Sequence, residues 1–263
     1  MHHKVLLKLR GVNQVFNGEV NDQGTVFIQE ASYQLDTLPV DVPIAGTVYG
    51  TLLNFQGAYD ALAPSMGEAP YNKPPKAPIL YIKPKNTFIA NGQAIPLPKN
   101  LDELEMGASL GLVIGKTATK VKRDEALAYV FGYTIVNDVS IPHDNVHRPA
   151  VKEKARDGFC PIGPWIMNKD TIKNPNNLKL TVSINGEIKQ ENSTKNLIRS
   201  IETLLADVTE FMTLYKGDVL LIGVPEKAPL AKENDLVKVE IEGIGSIENR
   251  VMKEQDAIGG DFV

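Results

Sequence analysis

The chain has 263 residues, is 43% hydrophobic, and carries 28 basic against 32 acidic side chains for a formal net charge of -4. That balance argues against a dedicated nucleic-acid binder, and the single cysteine, Cys160, rules out a disulfide scaffold within the chain and suits a reducing compartment. Apolar runs such as 110–115 and 219–224 reach only strand length, and Met1-His2-His3-Lys4-Val5 is no apolar signal core, so the expectation is a cytoplasmic protein without a membrane segment.

Residues 1–45 alternate in short runs, such as Thr25-Val-Phe-Ile and Ala31-Ser-Tyr-Gln-Leu, broken by turn residues. They predict a small β-rich segment of hairpins, with the main domain occupying 46–263 from the buried strand at Gly46–Leu52 onward. Residues 64–78 hold Pro64, Pro70, Pro74, Pro75 and Pro78, which predicts a surface loop and no helix. Short strands are predicted at Ile79–Ile82 and Thr87–Ala90, and a strand buried on both faces at Gly107–Ile114. Asp124 is placed as the cap of a helix over Glu125–Phe131, followed by a strand at Gly132–Val136. Residues 140–164 read as a long loop punctuated by Pro142, Pro149, Pro161 and Pro164. Asn185-Gly186 marks a hairpin between Leu178–Ile184 and Glu187–Gln190. Leu197, Ile201, Leu204, Leu205, Val208, Phe211 and Met212 recur at helical spacing, predicting a helix from Asn196 that stops near Lys216 at Gly217. Late strands are predicted at Val219–Val224 and Leu236–Ile241. The sum is an α+β chain dominated by sheet.

The loop after the central strands concentrates the chemistry. Arg148, Lys152, Lys154 and Arg156 stand close together after Asp138, a pattern that suits a small substrate bearing several carboxylates, or else a solvated charge run. His143 and His147 have the i, i+4 spacing of zinc motifs, but Pro142 and Pro149 flank them, which favours surface histidines. Cys160 sits among Phe159, Pro161 and Ile162, where burial would raise its thiol pKa and leave it inert. Neither a Gly-x-Ser-x-Gly elbow nor a phosphate-binding glycine loop is present. Glu103 and Glu105 share a face if their segment is a strand, either as chelating carboxylates or as an exposed edge.

Taken in order, several segments resemble the fumarylacetoacetate hydrolase family: Tyr81-Ile-Lys-Pro-Lys-Asn-Thr87, Gly111-Leu-Val-Ile-Gly-Lys116, Gly132-Tyr-Thr-Ile-Val-Asn-Asp138, Lys154-Ala-Arg-Asp-Gly158, the Ile-Asn-Gly186 hairpin and Gly217-Asp-Val-Leu-Leu-Ile-Gly223. The run Arg148–Gly163 is similar to the first half of members that join two such units in tandem, the isomerase/decarboxylases of homoprotocatechuate (4-hydroxyphenylacetate) catabolism. The resemblance implies a mixed β-roll with a small N-terminal appendage, 2-oxo or 2-hydroxydienoic polycarboxylate substrates, a Mg²⁺ or Mn²⁺ ion, and an oligomer. It implies Lys154 as the catalytic group and Arg148, Lys154, Arg156, Asp157 and Gly158 as substrate contacts. Of the family's three metal-ligand positions only Asp138 is kept, and its Glu-x-Glu places hold Gly107 and Ser109. Glu105 lies two residues from the first of these places, roughly 6.6 Å along a strand. The lid's His-x-x-Glu places hold Ala58 and Ala61, and the Thr after the late glycine is Val224.

Three expectations follow. The chain is a subunit of a 5-oxopent-3-ene-1,2,5-tricarboxylate decarboxylase / 2-hydroxyhepta-2,4-diene-1,7-dioate isomerase, a lyase acting with a homologous metal-binding subunit. Alternatively it is a degenerate structural or regulatory partner of such a subunit, or a hydrolase of another 2-oxo or diketo acid. Homo-oligomers and hetero-oligomers both fit the resemblance.

Overall fold

The computed structural model describes residues 2–69, 72–143 and 150–258. Strands β1 (His2–Leu9), β2 (Val15–Asn21), β3 (Thr25–Ile28) and β4 (Ala31–Gln34) form an antiparallel meander, and β5 (Val40–Asp41) pairs back onto β1. Then come β6 (Val48–Leu52), α1 (Gln56–Leu62), β7 (Ile79–Lys83), β8 (Phe88–Ile89), β9 (Ile95–Leu97), β10 (Glu103–Glu105), β11 (Ala108–Ile114) and β12 (Val130–Asn137). The second half holds α2 (Val151–Lys154), β13 (Cys160–Asn168), β14 (Lys179–Ile184), β15 (Glu187–Ser193), α3 (Ile201–Phe211), β16 (Val219–Leu221), β17 (Leu230–Lys232), β18 (Leu236–Ile241), β19 (Gly245–Lys253) and α4 (Glu254–Ile258).

Among the described residues the main sheet runs β4-β3-β2-β1-β13-β12-β11-β16-β6-β7, and a second sheet runs β15-β14-β18-β19-β9. The sheets are mixed: β16–β6, β13–β8 and β19–β9 are parallel pairs among antiparallel ones. The chain is therefore mainly β with few helices, as the alternating sequence runs predict. The N-terminal hairpins continue the main sheet through β1–β13, and Val5, Leu7 and Val26 join the same core as the rest of the chain.

Strand β11 explains its own apolar run. Leu110, Leu112 and Ile114 enter the main core, while Val113 faces a smaller cluster with Val136, Ile162, Val219 and Leu221. Helix α3 adds Ile201, Leu204, Leu205 and Val208, all fully buried, each contributing about 1.5–3 kcal/mol. Trp165 ties the two sheets together: its indole N–H donates to the Ile244 carbonyl of the β18–β19 turn at 2.7 Å. The Asn185-Gly186 turn takes φ values of 52° and 82°, as a type I′ hairpin requires.

The structure corrects several expectations. The helix expected at Glu125–Phe131 is a 3₁₀ turn at Arg123–Tyr129 that Asp124 does not cap. Gly115 N–H bonds to the Tyr129 carbonyl and Ile114 pairs with Val130, so the sheet takes the chain before a helix can propagate. The long helix begins at Ile201, where Ser200 accepts from the Thr203 N–H, and Asn54 and Asn176 hold the preceding turn by accepting from the N–H groups of Arg199 and Ile201. It stops after Phe211, because Leu214 leaves to bridge Ala118. The loop expected to run to 164 ends early: β13 starts at Cys160 despite Pro161 and Pro164. The β12–β13 register skips between Tyr133 and Ile135, and such an irregularity admits a proline without a ladder N–H. The strand expected at Val219–Val224 ends at Leu221, where the chain turns through Gly223 (φ +112°). The proline-rich segment carries a 3₁₀ turn at Ala63–Gly67. Strand β19 lies where no strand was predicted, with Ile247, Asn249 and Val251 turned inward. Among the described residues no helix is long and apolar enough to cross a membrane.

Candidate functional site

Asp138 directly follows β12 and is buried, with its side chain at 0% exposure. Gly107 pins it in place, donating to Asn137 Oδ1 at 2.9 Å and accepting from the Asp138 N–H at 2.8 Å. Tyr81 and Lys83 lie two apart on β7, so strand alternation points both toward this carboxylate while Ile82 faces solvent. Lys154, the last residue of α2, closes the group.

The contacts make a dense ionic cluster. Lys83 Nζ lies 2.8 Å from Asp138 Oδ1, and Lys154 Nζ lies 3.0 Å from Oδ2. The Tyr81 hydroxyl donates to Oδ2, and the Lys154 ammonium sits 4.8 Å above the Tyr81 ring. Lys83 also donates to the carbonyls of Val139, Lys154 and Phe159, each at 2.8 Å. Burial lowers the Lys83 pKa from its ordinary value and Asp138 raises it back; three carbonyls that can only accept favour the ammonium and occupy all three of its protons. Asp138 Oδ1 keeps the ion pair but has no hydrogen bond of its own. Burial opposes ionisation of Asp138, yet Lys154 and Lys83 outweigh it and hold the carboxyl below the usual carboxylate range. Burial, then Asp138, push the Tyr81 phenol well above its ordinary value, so it serves as a neutral donor.

Glycine shapes this centre at two positions. Gly50 stands opposite Tyr81 in the β6–β7 ladder, and a Cβ there would fall 2.0 Å from the phenol ring. Gly50→Ala is expected to displace Tyr81 from Asp138 and cost about 1–3 kcal/mol, a fall in Tm of roughly 2–12 °C. Scanning calorimetry checks this, and an unchanged Tm would refute the packing argument. At Gly107, a Cβ would meet the Asp138 carbonyl oxygen at 2.7 Å and a Val224 methyl at 2.9 Å.

These residues do not fit a divalent cation. The carboxylate of Asp138 is already matched by two ammonium groups, and Ser109 Oγ is spent donating to the Gly223 carbonyl at 2.8 Å. Val224 packs where a side chain at 107 would begin. Among the described residues, no three His, Cys, Asp or Glu side chains group to hold a metal ion.

Of the other residues singled out by sequence, Arg148 and His147 lie outside the described residues. Arg156 turns away to Glu254 of α4 at 3.5 Å, and Lys152 is exposed. Asp157 accepts from Asn86 Nδ2 at 2.7 Å, and Gly158 (φ +73°) packs its Cα face on Pro96, so both shape the turn into β13. Lys154 and Asp138 are thus brought together, while Arg156, Asp157 and Gly158 stay outside the cluster. Cys160 is fully buried, and burial pushes its thiol up to about 12, as expected of an inert thiol. His143 Nδ1 lies 2.8 Å from the Ile141 carbonyl. Tyr81 and Lys83 are the residues that reading the charges alone missed; a Tyr-x-Lys alternation in a strand was the signal available.

Glu105 borders the cluster. Leu104 and Met106 are fully buried in the core, so Glu105 shares the opposite face with Gly107 and Ser109. Its backbone bridges Ser140 in both directions, at 2.8 and 3.1 Å. Burial raises the Glu105 carboxyl, Lys154 and His143 pull it back, and Asp138 adds to the rise. A carboxyl raised in the fold binds its proton more tightly folded than unfolded, so it destabilises the fold as pH rises through its folded value. Glu105→Gln is therefore expected to raise Tm at pH 7–8 and to leave it unchanged below about pH 4. A gain that persists undiminished at low pH would refute this assignment.

The profile of the fumarylacetoacetate (FAA) hydrolase C-terminal family matches residues 47–252. The 4-hydroxyphenylacetate degradation bifunctional isomerase/decarboxylase of Escherichia coli is 39% identical over 211 residues, covering 80% of this chain and 48% of that protein. This chain thus spans about half the length of the bifunctional relatives it matches. Among solved structures, 5-carboxymethyl-2-hydroxymuconate delta-isomerase from Mycobacterium smegmatis aligns with a TM-score of 0.77 and 27% identity, over 96% of this chain and 99% of that one. Maleylpyruvate hydrolase from Sphingobium sp. SYK-6, solved with manganese(II) and pyruvate, shares the fold with a TM-score of 0.76 and 20% identity, over 95% of this chain and 99% of that one.

Proposed function

The chain belongs to the fumarylacetoacetate hydrolase family, and from that premise we propose that it is one unit of a two-unit isomerase/decarboxylase acting on unsaturated 2-oxo polycarboxylates, with the divalent cation held by a homologous unit. The substrate proposed is 5-oxopent-3-ene-1,2,5-tricarboxylate, with 2-hydroxyhepta-2,4-diene-1,7-dioate as the species isomerised. The observation that carries the reading is the centre itself: Asp138 and Lys154 are in place, whereas Gly107 and Ser109 offer no carboxylate to a metal. The match to bifunctional relatives over about half of their length supports it.

Decarboxylation breaks a carbon–carboxylate bond and sends the electron pair into the conjugated 2-oxo acid. Reprotonating that dienolate at another carbon is the isomerase step. An ammonium beside the developing oxyanion lowers both barriers, because it is fixed in place before charge develops. In this chain Lys154 is the group positioned for that role: Asp138 orients it, Lys83 orients Asp138, and the Tyr81 ring supports it from below.

The test is turnover of the tricarboxylate by the chain alone and with a homologue that carries an intact Glu-x-Glu. Activity only in the mixture supports the reading, and equal activity of the homologue with and without this chain overturns it. Calorimetry with Mn²⁺ on the chain alone is expected to give no binding. Binding abolished by Asp138→Ala would instead establish an independent metal centre. A second reading, that the chain only stabilises its partner, draws on the complete engagement of Lys83 with backbone carbonyls. It predicts full mixture activity after Lys154→Met.

A further inference from the structure

We infer that this centre takes the carboxylate of a 2-oxo acid directly on the Lys154 ammonium, with no divalent cation between them. The inference rests on the reading above that the ligand is a 2-oxo polycarboxylate, and it adds how this chain alone holds it.

Charge and hydrogen-bond accounting carry the argument. Lys83 and Asp138 cancel at 2.8 Å, which leaves the positive charge of Lys154 in excess within the cluster. Lys154 is only 8% exposed, yet among the described residues one of its three N–H groups is used, on Asp138 Oδ2. Its apolar support is the Tyr81 ring. An ammonium buried to this degree with two unspent donors is costly unless an acceptor completes it. Of the two Asp138 oxygens, Oδ2 takes the Lys154 donor that is in use and Oδ1 is paired with Lys83. A carboxylate supplies two acceptors and one negative charge, which meets both deficits at once.

The place of a metal ion is closed as well as unligated. Val224 lies against Gly107, and Ser109 is bonded to Gly223. A ligand that elsewhere would reach its protein through a cation must here touch a side chain. The groups in contact with Lys154 are Asp138 and Tyr81, while Glu105 on β10 interacts with it through space as a charge. His143 acts on Glu105 from the loop beyond Ser140. The negative charge of Glu105 offsets part of the positive charge of Lys154, so it opposes an incoming anion.

Calorimetry of the whole chain with 2-oxoglutarate as probe, first in EDTA and then in excess Mg²⁺, tests this. Binding is expected in EDTA, with an affinity that Mg²⁺ changes by less than about 3-fold. Lys154→Met is expected to weaken binding at least about 10-fold, Lys154→Arg to retain most of it, and Glu105→Gln to tighten it several-fold. Binding that appears only with Mg²⁺, no binding under either condition, or wild-type affinity in Lys154→Met overturns the inference. Glu105 is partly exposed, so Glu105→Gln remains informative even if Lys154→Met does not fold: unchanged or weakened affinity in that variant is equally fatal. Probe binding in EDTA without turnover in the two-unit mixture leaves this inference standing and removes the proposed function. Mg²⁺-dependent binding with turnover does the reverse.

Discussion

Asp138→Asn is expected to lower the stability of this protein by about 3–5 kcal/mol, a fall in Tm of roughly 6–20 °C. The substitution is nearly isosteric, so packing barely changes. What changes is charge: two lysine ammonium groups stay inside the fold, Lys83 fully buried and Lys154 nearly so, with no counter-ion. Removing one partner of a buried ionic group leaves the desolvation cost of the other uncompensated, which is why the expected loss exceeds that of a surface pair. The pH dependence identifies the cause. Asp138 has a carboxyl depressed in the fold, so its stabilisation is complete above its unfolded value and is lost as pH falls toward its folded one. The gap between wild type and variant should be constant above about pH 5 and narrow below it. Calorimetric melts from pH 3 to pH 8 measure this; a gap under 1 kcal/mol at neutral pH, or one that widens in acid, would falsify the assignment.

Lys83→Met should cost on the order of 4 kcal/mol for a different reason. The Lys83 ammonium is the shared donor to carbonyls at three points of the segment after β12: Val139, Lys154 and Phe159. The Phe159 carbonyl keeps the Val139 N–H at 3.2 Å, but the other two lose this donor, and each buried acceptor left empty costs about 1–3 kcal/mol. These three bonds bring both ends of the loop that carries Lys154 onto one side chain. Their loss should therefore appear as faster amide exchange at 150–159 before global melting, together with the lower Tm. Exchange there at the wild-type rate would show that α2 is held by other contacts. A double-mutant cycle with Asp138→Asn separates the ion pair from the carbonyl bonds, since the two share only the Oδ1 contact.

Much of the architecture was legible in the chain. The apolar run at β11, the Asn185-Gly186 hairpin and the amphipathic stretch of α3 each carry a local signal strong enough to survive the fold. The errors fall where a distant contact overrides local preference. Asp124 sits before a good helix-forming run, yet that run is drawn into the sheet through Gly115 and Val130. Asn196 looked like a helix start, but the N–H groups of Arg199, just ahead of α3, and of Ile201, its first residue, are held by Asn54 and Asn176 from elsewhere in the chain. Prolines 161 and 164 looked like loop residues, but Pro164 falls in the skipped register beside β12 and Pro161 pairs with Ile89 of β8.

The same division runs through the site. By itself the sequence determined which residue types are available: Asp138 and Lys154 are present, and Gly107 and Ser109 supply no carboxylate for a metal, because the functional groups are fixed by residue type before the chain folds. It also showed a basic stretch at 148–156 as one feature. Only the tertiary structure divided that stretch, sending Arg156 to Glu254 on α4 and Lys154 inward to Asp138. Only it placed Lys83 and Tyr81, more than fifty residues earlier, around the same carboxylate, since strand pairing joins positions that sequence distance separates. The excess charge on Lys154 belongs to that assembly, because a buried charge is defined by what surrounds it.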